Sequence, residues 1–238
     1  MSGNVLHIPA GHDRGERMTR GQRTFYGFVR ILLATVGRAY FRLEVHGREN
    51  IPRSGPFVIA PVHRSNIDTP MLGVVTRRRL RYMGKESLWR SRPGGWFLTA
   101  LGGFPVERGT ADREALRAAL AVLERGEPLV VFPEGTRQHG DDVAELFDGP
   151  AYLACRAGAP VIPVGIGGSE AAMPVGSRGI RPVKMAIVIG APLMPPPPKE
   201  SGRVSRKAVR QMTADLGESI QVLYDEAQAI VGEPNPRG

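Results

Sequence analysis

Hydrophobic positions in this chain change repeat several times, and those changes lay out an order of helices and strands. Phe25, Phe28, Val29, Leu32, Val36 and Tyr40 recur at spacings of three and four, the repeat of one helical face. Arg23, Arg30, Arg38 and Arg42 punctuate the same stretch, so residues 21–42 are expected to form a basic amphipathic helix. Ile31 and Leu33 widen its apolar face. Such a face suits either the headgroup boundary of a membrane or the protein's own sheet, and membrane association is the expectation taken here. Residues 1–20 show no comparable period and read as a flexible tail.

Beyond this helix the apolar positions come in short unbroken runs, at 57–62, 129–132, 161–164 and 183–189. Runs of that length read as strands buried on both faces, and Leu43–Val45, Leu80–Met83 and the stretch after Gly102 read as shorter ones. Helical segments fall between them. One opens at Asp68, one covers Gly94–Leu101, one runs from Thr110 as N-cap to a stop at Gly126, and one covers Pro150–Ala157. An acyl chain or the core are the two candidate partners of Trp96 and Phe97. After the stiff Pro195–Pro198 stretch, Val209, Met212, Leu216, Ile220, Leu223, Ala227 and Ile230 mark a long C-terminal helix. Strands alternating with helices predict an α/β fold. The expected domain is single, with a largely parallel or mixed central sheet flanked by helices. Its core spans 43–195, with the helix at 21–42 before it and a proline linker and helix at 196–238 after it.

Composition narrows the function. The 238 residues suffice for one substantial core, and a formal net charge of +9 favours a polyanionic surface or a phosphate-bearing ligand. The arginines are not interleaved with aromatic stacking residues, so nucleic acid is not an expected partner. Cys155 stands alone, which excludes an internal disulfide and a multi-thiolate metal site; it is expected to pack as a small apolar residue, and no metal is expected. Residues 1–20 lack an apolar core segment, predicting no secretory signal. The uncharged runs Gly94–Val106 and Met185–Pro198 fall short of the roughly 20 residues of a spanning helix. A cytoplasmic protein peripherally associated with the membrane is therefore expected.

The stretch His63-Arg64-Ser65-Asn66-Ile67-Asp68 carries the candidate chemistry. Five helical steps of roughly 100° would turn the two side chains about 140° apart, so a turn must separate them if they are to meet. With His63 at a strand end and Asp68 in the first turn of a helix, the carboxylate can fix the imidazole tautomer and leave the other nitrogen to accept a proton. No serine or cysteine nucleophile is built in, which points to a hydroxyl supplied by a substrate. The spacing is equally compatible with a turn histidine beside a helix cap. Two further places suit an anion or polar ligand. Arg108 precedes a helix start with its unsatisfied N–H groups, and Pro133-Glu134-Gly135-Thr136-Arg137 follows a buried strand, although a surface ion pair would also fit there. Lys85 stands out in a chain rich in arginine and poor in lysine. There is no G-x-S-x-G elbow, phosphate loop or H-E-x-x-H pair, and Gly165-Ile166-Gly167-Gly168 is too short for a dinucleotide fingerprint.

Four blocks in this order resemble the glycerolipid acyltransferase superfamily, and specifically its 1-acylglycerol-3-phosphate acyltransferases. They are H-x-x-x-x-D at His63 and Asp68, G-x-F-x-x-R in type across Gly102–Arg108, F-P-E-G-T-R at Phe132–Arg137 and V-I-P-V at Val161–Val164. The resemblance covers roughly residues 43–195. It departs from the family pattern at Val62, Gln138 and Asp148, where asparagine, serine and lysine are usual. What it implies is transfer of an acyl group from acyl-CoA or acyl carrier protein to the free hydroxyl of lysophosphatidate, without an acyl-enzyme or a cofactor. His63 would act as general base held by Asp68. Arg108, Arg137 and Lys85 would clamp the acceptor phosphate, Glu134 would orient these cations or a substrate hydroxyl, and Gly135 and Thr136 would orient substrate beside it. Glycerol 3-phosphate or another lipid alcohol is the alternative acceptor. The implied partners are these substrates and an anionic membrane surface.

Overall fold

The computed structural model describes residues 18–106, 112–177, 179–197 and 204–232. Most of the expected tail, Arg108, the expected cap Thr110 and Pro198 lie outside them. The elements in order are α1 (Arg20–Tyr40), β1 (Glu44–His46), β2 (Phe57–Pro61), α2 (Asp68–Leu72), β3 (Arg81–Lys85), α3 (Arg92–Ala100), β4 (Gly103–Val106), α4 (Asp112–Glu124), β5 (Pro128–Val130), α5 (Gly149–Ala157), β6 (Val161–Gly167), α6 (Ser169–Ala172), β7 (Ala186–Ile189) and α7 (Arg206–Val231). The α1 start is set by a reciprocal cap: Thr19 Oγ1 accepts from Gln22 N at 3.2 Å and Gln22 Oε1 accepts from Thr19 N at 3.0 Å.

The strands form one seven-stranded mixed sheet in the order β1-β7-β6-β2-β5-β3-β4. Only the β6–β7 pairing is antiparallel. Every residue of β2, β5, β6 and β7 is buried, as expected where helices cover both faces of a sheet. Neighbouring β3 residues face opposite ways. Tyr82 lines a cavity with α1 and α2 residues, whereas Arg81 Nε meets Glu127, just after α4, at 3.4 Å. Because β2 to β6 run parallel, their C-terminal ends share one edge of the sheet. His63, Lys85 and the 133–137 turn therefore come to that edge.

The long C-terminal helix is part of the core. Val209, Met212, Leu216, Ile220 and Tyr224 join the same buried cluster as the strands. Two glycines let α7 lie directly on β6. A Cβ on Gly165 would stand 2.2 Å from the Leu223 carbonyl carbon, and one on Gly167 would stand 2.3 Å from the Ala227 oxygen. Gly165 and Gly167, too few for a nucleotide loop, thus make room for a helix backbone. Gly167→Val should lower unfolding stability by about 3 kcal/mol or more, because strand and helix backbones must separate. Gly27→Ala in α1 should raise it by about 0.5–1 kcal/mol, since nothing lies within 4 Å of the added carbon. Urea denaturation of both variants measures the contrast.

Candidate active site

Strand β2 delivers His63. Val62 N still donates to Val164 O at 3.0 Å, so the backbone is held by β6 up to the residue before the imidazole. The chain then turns, and Asp68 opens α2. Its Oδ2 atom accepts from Arg64 N at 2.8 Å, Ser65 N at 2.7 Å and His63 Nδ1 at 3.0 Å. A carboxylate only accepts, so this arrangement assigns the proton of the neutral ring to Nδ1 and leaves Nε2 as an acceptor. The ring also stacks on Phe132, with centroids 3.9 Å apart and planes at 27°. Its side chain keeps 16% exposure while that of Asp68 is fully buried. Held along one edge and one face, the imidazole offers its Nε2 without a hydrogen-bonded partner among the described residues.

A second carboxylate supports the histidine from behind. Glu134 Oε2 accepts from His63 N at 2.8 Å and its Oε1 accepts from Ala144 N at 3.1 Å. Both oxygens take Arg64 Nη1, at 2.8 and 2.9 Å. The same guanidinium donates to the carbonyls of His63 (3.1 Å), Gly140 (3.2 Å) and Asp142 (2.9 Å) and lies 4.9 Å over the Tyr224 ring of α7. Burial pushes the Tyr224 phenol up to about 12, and its hydroxyl donates to Gly140 O at 3.2 Å. Arg64 and Glu134 are both buried. Glu134, expected to orient the cations or a substrate hydroxyl, has its carboxylate engaged by Arg64 and by the N–H groups of His63 and Ala144, and makes no hydrogen bond or ion pair with Arg137 among the described residues. Arg64 is the residue that sequence reasoning missed. The available signal was a cation next to the histidine with a carboxylate at the end of another buried strand.

Gly135 and Thr136 are exposed on the adjoining turn. Gly135 has φ 71, in the left-handed region that favours glycine. A Cβ there would stand 2.7 Å from the Phe147 ring. The turn returns to the histidine through Gln138 N, which donates to His63 O at 2.9 Å. Arg137, one residue earlier, is half-buried and makes no hydrogen bond or ion pair among the described residues. Lys85 is exposed at the end of β3, opposite Val106 of β4. Arg108 would follow two positions later, outside the described residues. The fold thus joins His63 and Asp68 directly, sets the 135–137 turn against them, and leaves Lys85 on the same sheet edge without contact to either.

The family-pattern departures have local roles. Val62 is core, the Gln138 side chain donates to Thr136 Oγ1 at 3.1 Å, and Asp148 Oδ1 accepts from Thr213 Oγ1 at 2.7 Å. Cys155 is buried, which raises its thiol pKa, and its Sγ donates to Met212 Sδ at 3.7 Å. No three His, Cys, Asp or Glu side chains converge as a metal-ligand set among the described residues.

Beside α2 lies an apolar cavity of about 250 Å³, lined by Tyr26, Val29, Leu33, Pro70, Tyr82 and Leu98 among others. Outside it, α1 exposes Phe28 (63%), Ile31 (61%) and Leu32, and α3 exposes Trp96 (50%) and Phe97. Phe25 joins the two helices, with ring centroids 5.2 Å from Trp96 and 5.8 Å from Phe97. No helix among the described residues is long and apolar enough to cross a membrane.

The family model described as Acyltransferase matches residues 42–167. The chain is 29% identical over 187 residues to a 1-acyl-sn-glycerol-3-phosphate acyltransferase of Bacillus subtilis, which covers 76% of this chain and 91% of that protein. A 1-acyl-sn-glycerol-3-phosphate acyltransferase of Chlamydomonas reinhardtii is 30% identical over 212 residues, covering 84% of this chain and 62% of that longer protein. The crystal structure of the 1-acyl-sn-glycerophosphate (LPA) acyltransferase PlsC from Thermotoga maritima superposes with a TM-score of 0.67 at 26% identity, over 87% of this chain and 84% of that one.

Removing the charge at Glu134 separates scaffold from surface. Glu134→Gln leaves the Arg64 guanidinium buried without its counter-ion and should cost about 3–5 kcal/mol of stability. Thr136→Ala, two residues on and exposed, should stay within about 0.5 kcal/mol. Urea midpoints of the two variants provide the comparison.

Proposed function

The chain belongs to the acyltransferase family, and from that premise we propose that it moves an acyl group from an acyl-CoA or acyl carrier protein thioester to the free hydroxyl of 1-acylglycerol 3-phosphate, giving phosphatidic acid. The observation that carries this reading is the His63–Asp68 pair, whose Nε2 has no hydrogen-bond partner among the described residues. Because no serine, threonine or cysteine side chain hydrogen-bonds the imidazole among the described residues, the substrate alcohol is the attacking group. His63 Nε2 takes the hydroxyl proton as the oxygen attacks the thioester carbonyl. Asp68 stabilises the imidazolium that results. When the tetrahedral intermediate collapses, the carbon–sulfur bond breaks and the imidazolium returns the proton to the departing thiolate. The acyl chain ends on the acceptor oxygen, and the ring is neutral again.

Phosphate recognition falls to cations at the same sheet edge. Arg137, one residue before the backbone group that holds His63 O, makes no hydrogen bond or ion pair among the described residues. It suits bidentate binding of a phosphate. Lys85 and Arg108 would complete the clamp from β3 and from beyond β4. The apolar cavity beside α2 offers space for a hydrocarbon chain, and the exposed aromatic face of α1 and α3 supports peripheral seating on a membrane, from which a lipid acceptor would enter.

His63→Ala should lower turnover by about 10²–10⁴-fold while leaving the urea midpoint nearly unchanged. Near-normal activity in that variant would remove the general-base role. Arg137→Ala should raise KM for lysophosphatidate and leave KM for acyl-CoA in place, because a phosphate clamp acts in the ground state. Assays with labelled acyl-CoA against lysophosphatidate and glycerol 3-phosphate in parallel identify the acceptor; preference for the latter would overturn the substrate assignment.

A further inference from the structure

On the flank of α1 a cavity of about 640 Å³ gathers Arg38, Arg42, His46 and Arg48 against an apolar wall that includes Leu43 and Val74. None of these residues belongs to the candidate active site. The side chains of Arg38 and Arg48 make no hydrogen bond or ion pair among the described residues. Arg42 occupies left-handed backbone, φ 47, a conformation that costs a residue with a side chain. Its Nη2 donates to Pro182 O at 3.3 Å, which holds the side chain at the cavity. Among the lining residues the one carboxylate is Glu44. It is already engaged, at 2.8 Å from Lys184 Nζ and 3.2 Å from His46 Nε2. Lys184 first, then His46, holds its pKa below the usual range. Three guanidinium groups therefore share a concave surface without a free counter-charge, an arrangement that a bound anion relieves and that suits phosphate oxygens.

The surroundings identify the kind of anion. A second groove of about 390 Å³ on α1 shares Ala34 and Arg38 with the cavity and extends to Ile31. Ile31 and Arg38 are seven residues apart and so lie within about 20° of one another around the helix axis. The cationic cavity thus runs directly into the exposed apolar face of Phe28, Ile31 and Leu32. A free phosphate would use only the first part of this surface. A phosphate attached to acyl chains would use both.

We propose that this cavity holds the phosphate-bearing headgroup of an anionic membrane lipid, as a lipid contact separate from the acceptor site. The proposal rests on the peripheral membrane seating argued above and adds to it a fixed rotation of α1 on the surface: the arginine cavity sits at the headgroups, with Phe28 and Trp96 directed inward. Membrane residence would then depend on the anionic lipid content of the leaflet.

Vesicle co-sedimentation of the full chain tests this, using phosphatidylcholine vesicles with and without phosphatidylglycerol. The wild-type protein should bind the anionic vesicles more tightly. Arg38→Gln combined with Arg48→Gln should weaken that binding by about 10- to 30-fold, from about one kcal/mol per surface arginine, and leave binding to pure phosphatidylcholine unchanged. Arg20→Gln combined with Arg23→Gln removes the same charge at the other end of α1 and should cost clearly less. The Arg38/Arg48 variant should also retain full turnover on detergent-dispersed substrate. An equal loss in the two double variants, or wild-type binding indifferent to phosphatidylglycerol, would overturn the cavity proposal alone. If the wild-type protein bound neither kind of vesicle, the membrane seating would fall, and the cavity proposal with it.

Discussion

The buried ion pair between Arg64 and Glu134 holds together parts of the chain that are distant in sequence. Glu134 follows β5, Arg64 follows β2, and the guanidinium also reaches the 140–142 loop and the Tyr224 ring on α7. Such a pair contributes little net stability beyond an apolar substitute, because desolvating both charges offsets their attraction. Its effect is geometric. By taking His63 N at one oxygen and Arg64 at both, Glu134 fixes the backbone of the histidine, while Asp68 separately fixes its ring. Two carboxylates divide between them the placement of one imidazole, and neither needs to touch substrate.

The sheet determines what else is present at that place. Parallel pairing of β2 with β5 and β6, and of β3 with β4 and β5, brings five strand ends to one edge. Ligand sites in open α/β sheets collect at such edges because helix starts and loop N–H groups face outward there. The cations at that edge suit an anionic partner, and the apolar cavity and exposed aromatics on the α1 side suit a greasy one. A phosphorylated lipid combines both.

The strand and helix order was legible because burial on both faces leaves unbroken apolar runs, as in Phe57–Ala60 and Val161–Val164. Strand ends were less so. The run Leu129–Phe132 reads as one strand, but the ladder stops at Val130, and Phe132 serves as the platform under His63. Val183 and Met185 likewise precede β7, with Met185 N donating to Phe41 O. The meeting of His63 and Asp68 was legible because only five positions separate them and a turn suffices. The Arg64 contacts were not, since their partners lie about seventy residues or more away and apolar periodicity is silent on them. The same blindness to depth made Glu134 look available to a ligand. Gly165 and Gly167 carried a pattern whose cause, the approach of α7, exists only in three dimensions.

The position of β1 has a consequence for how the chain reaches this form. Among the described residues its only neighbour is β7, the last of the described strands, and the glycine-faced strand β6 is covered by a helix made later still. On the ribosome, α1 emerges as a ready amphipathic element long before its adjoining strand has anything to pair with. Closing so wide a loop is slow and leaves apolar edges open in the interval.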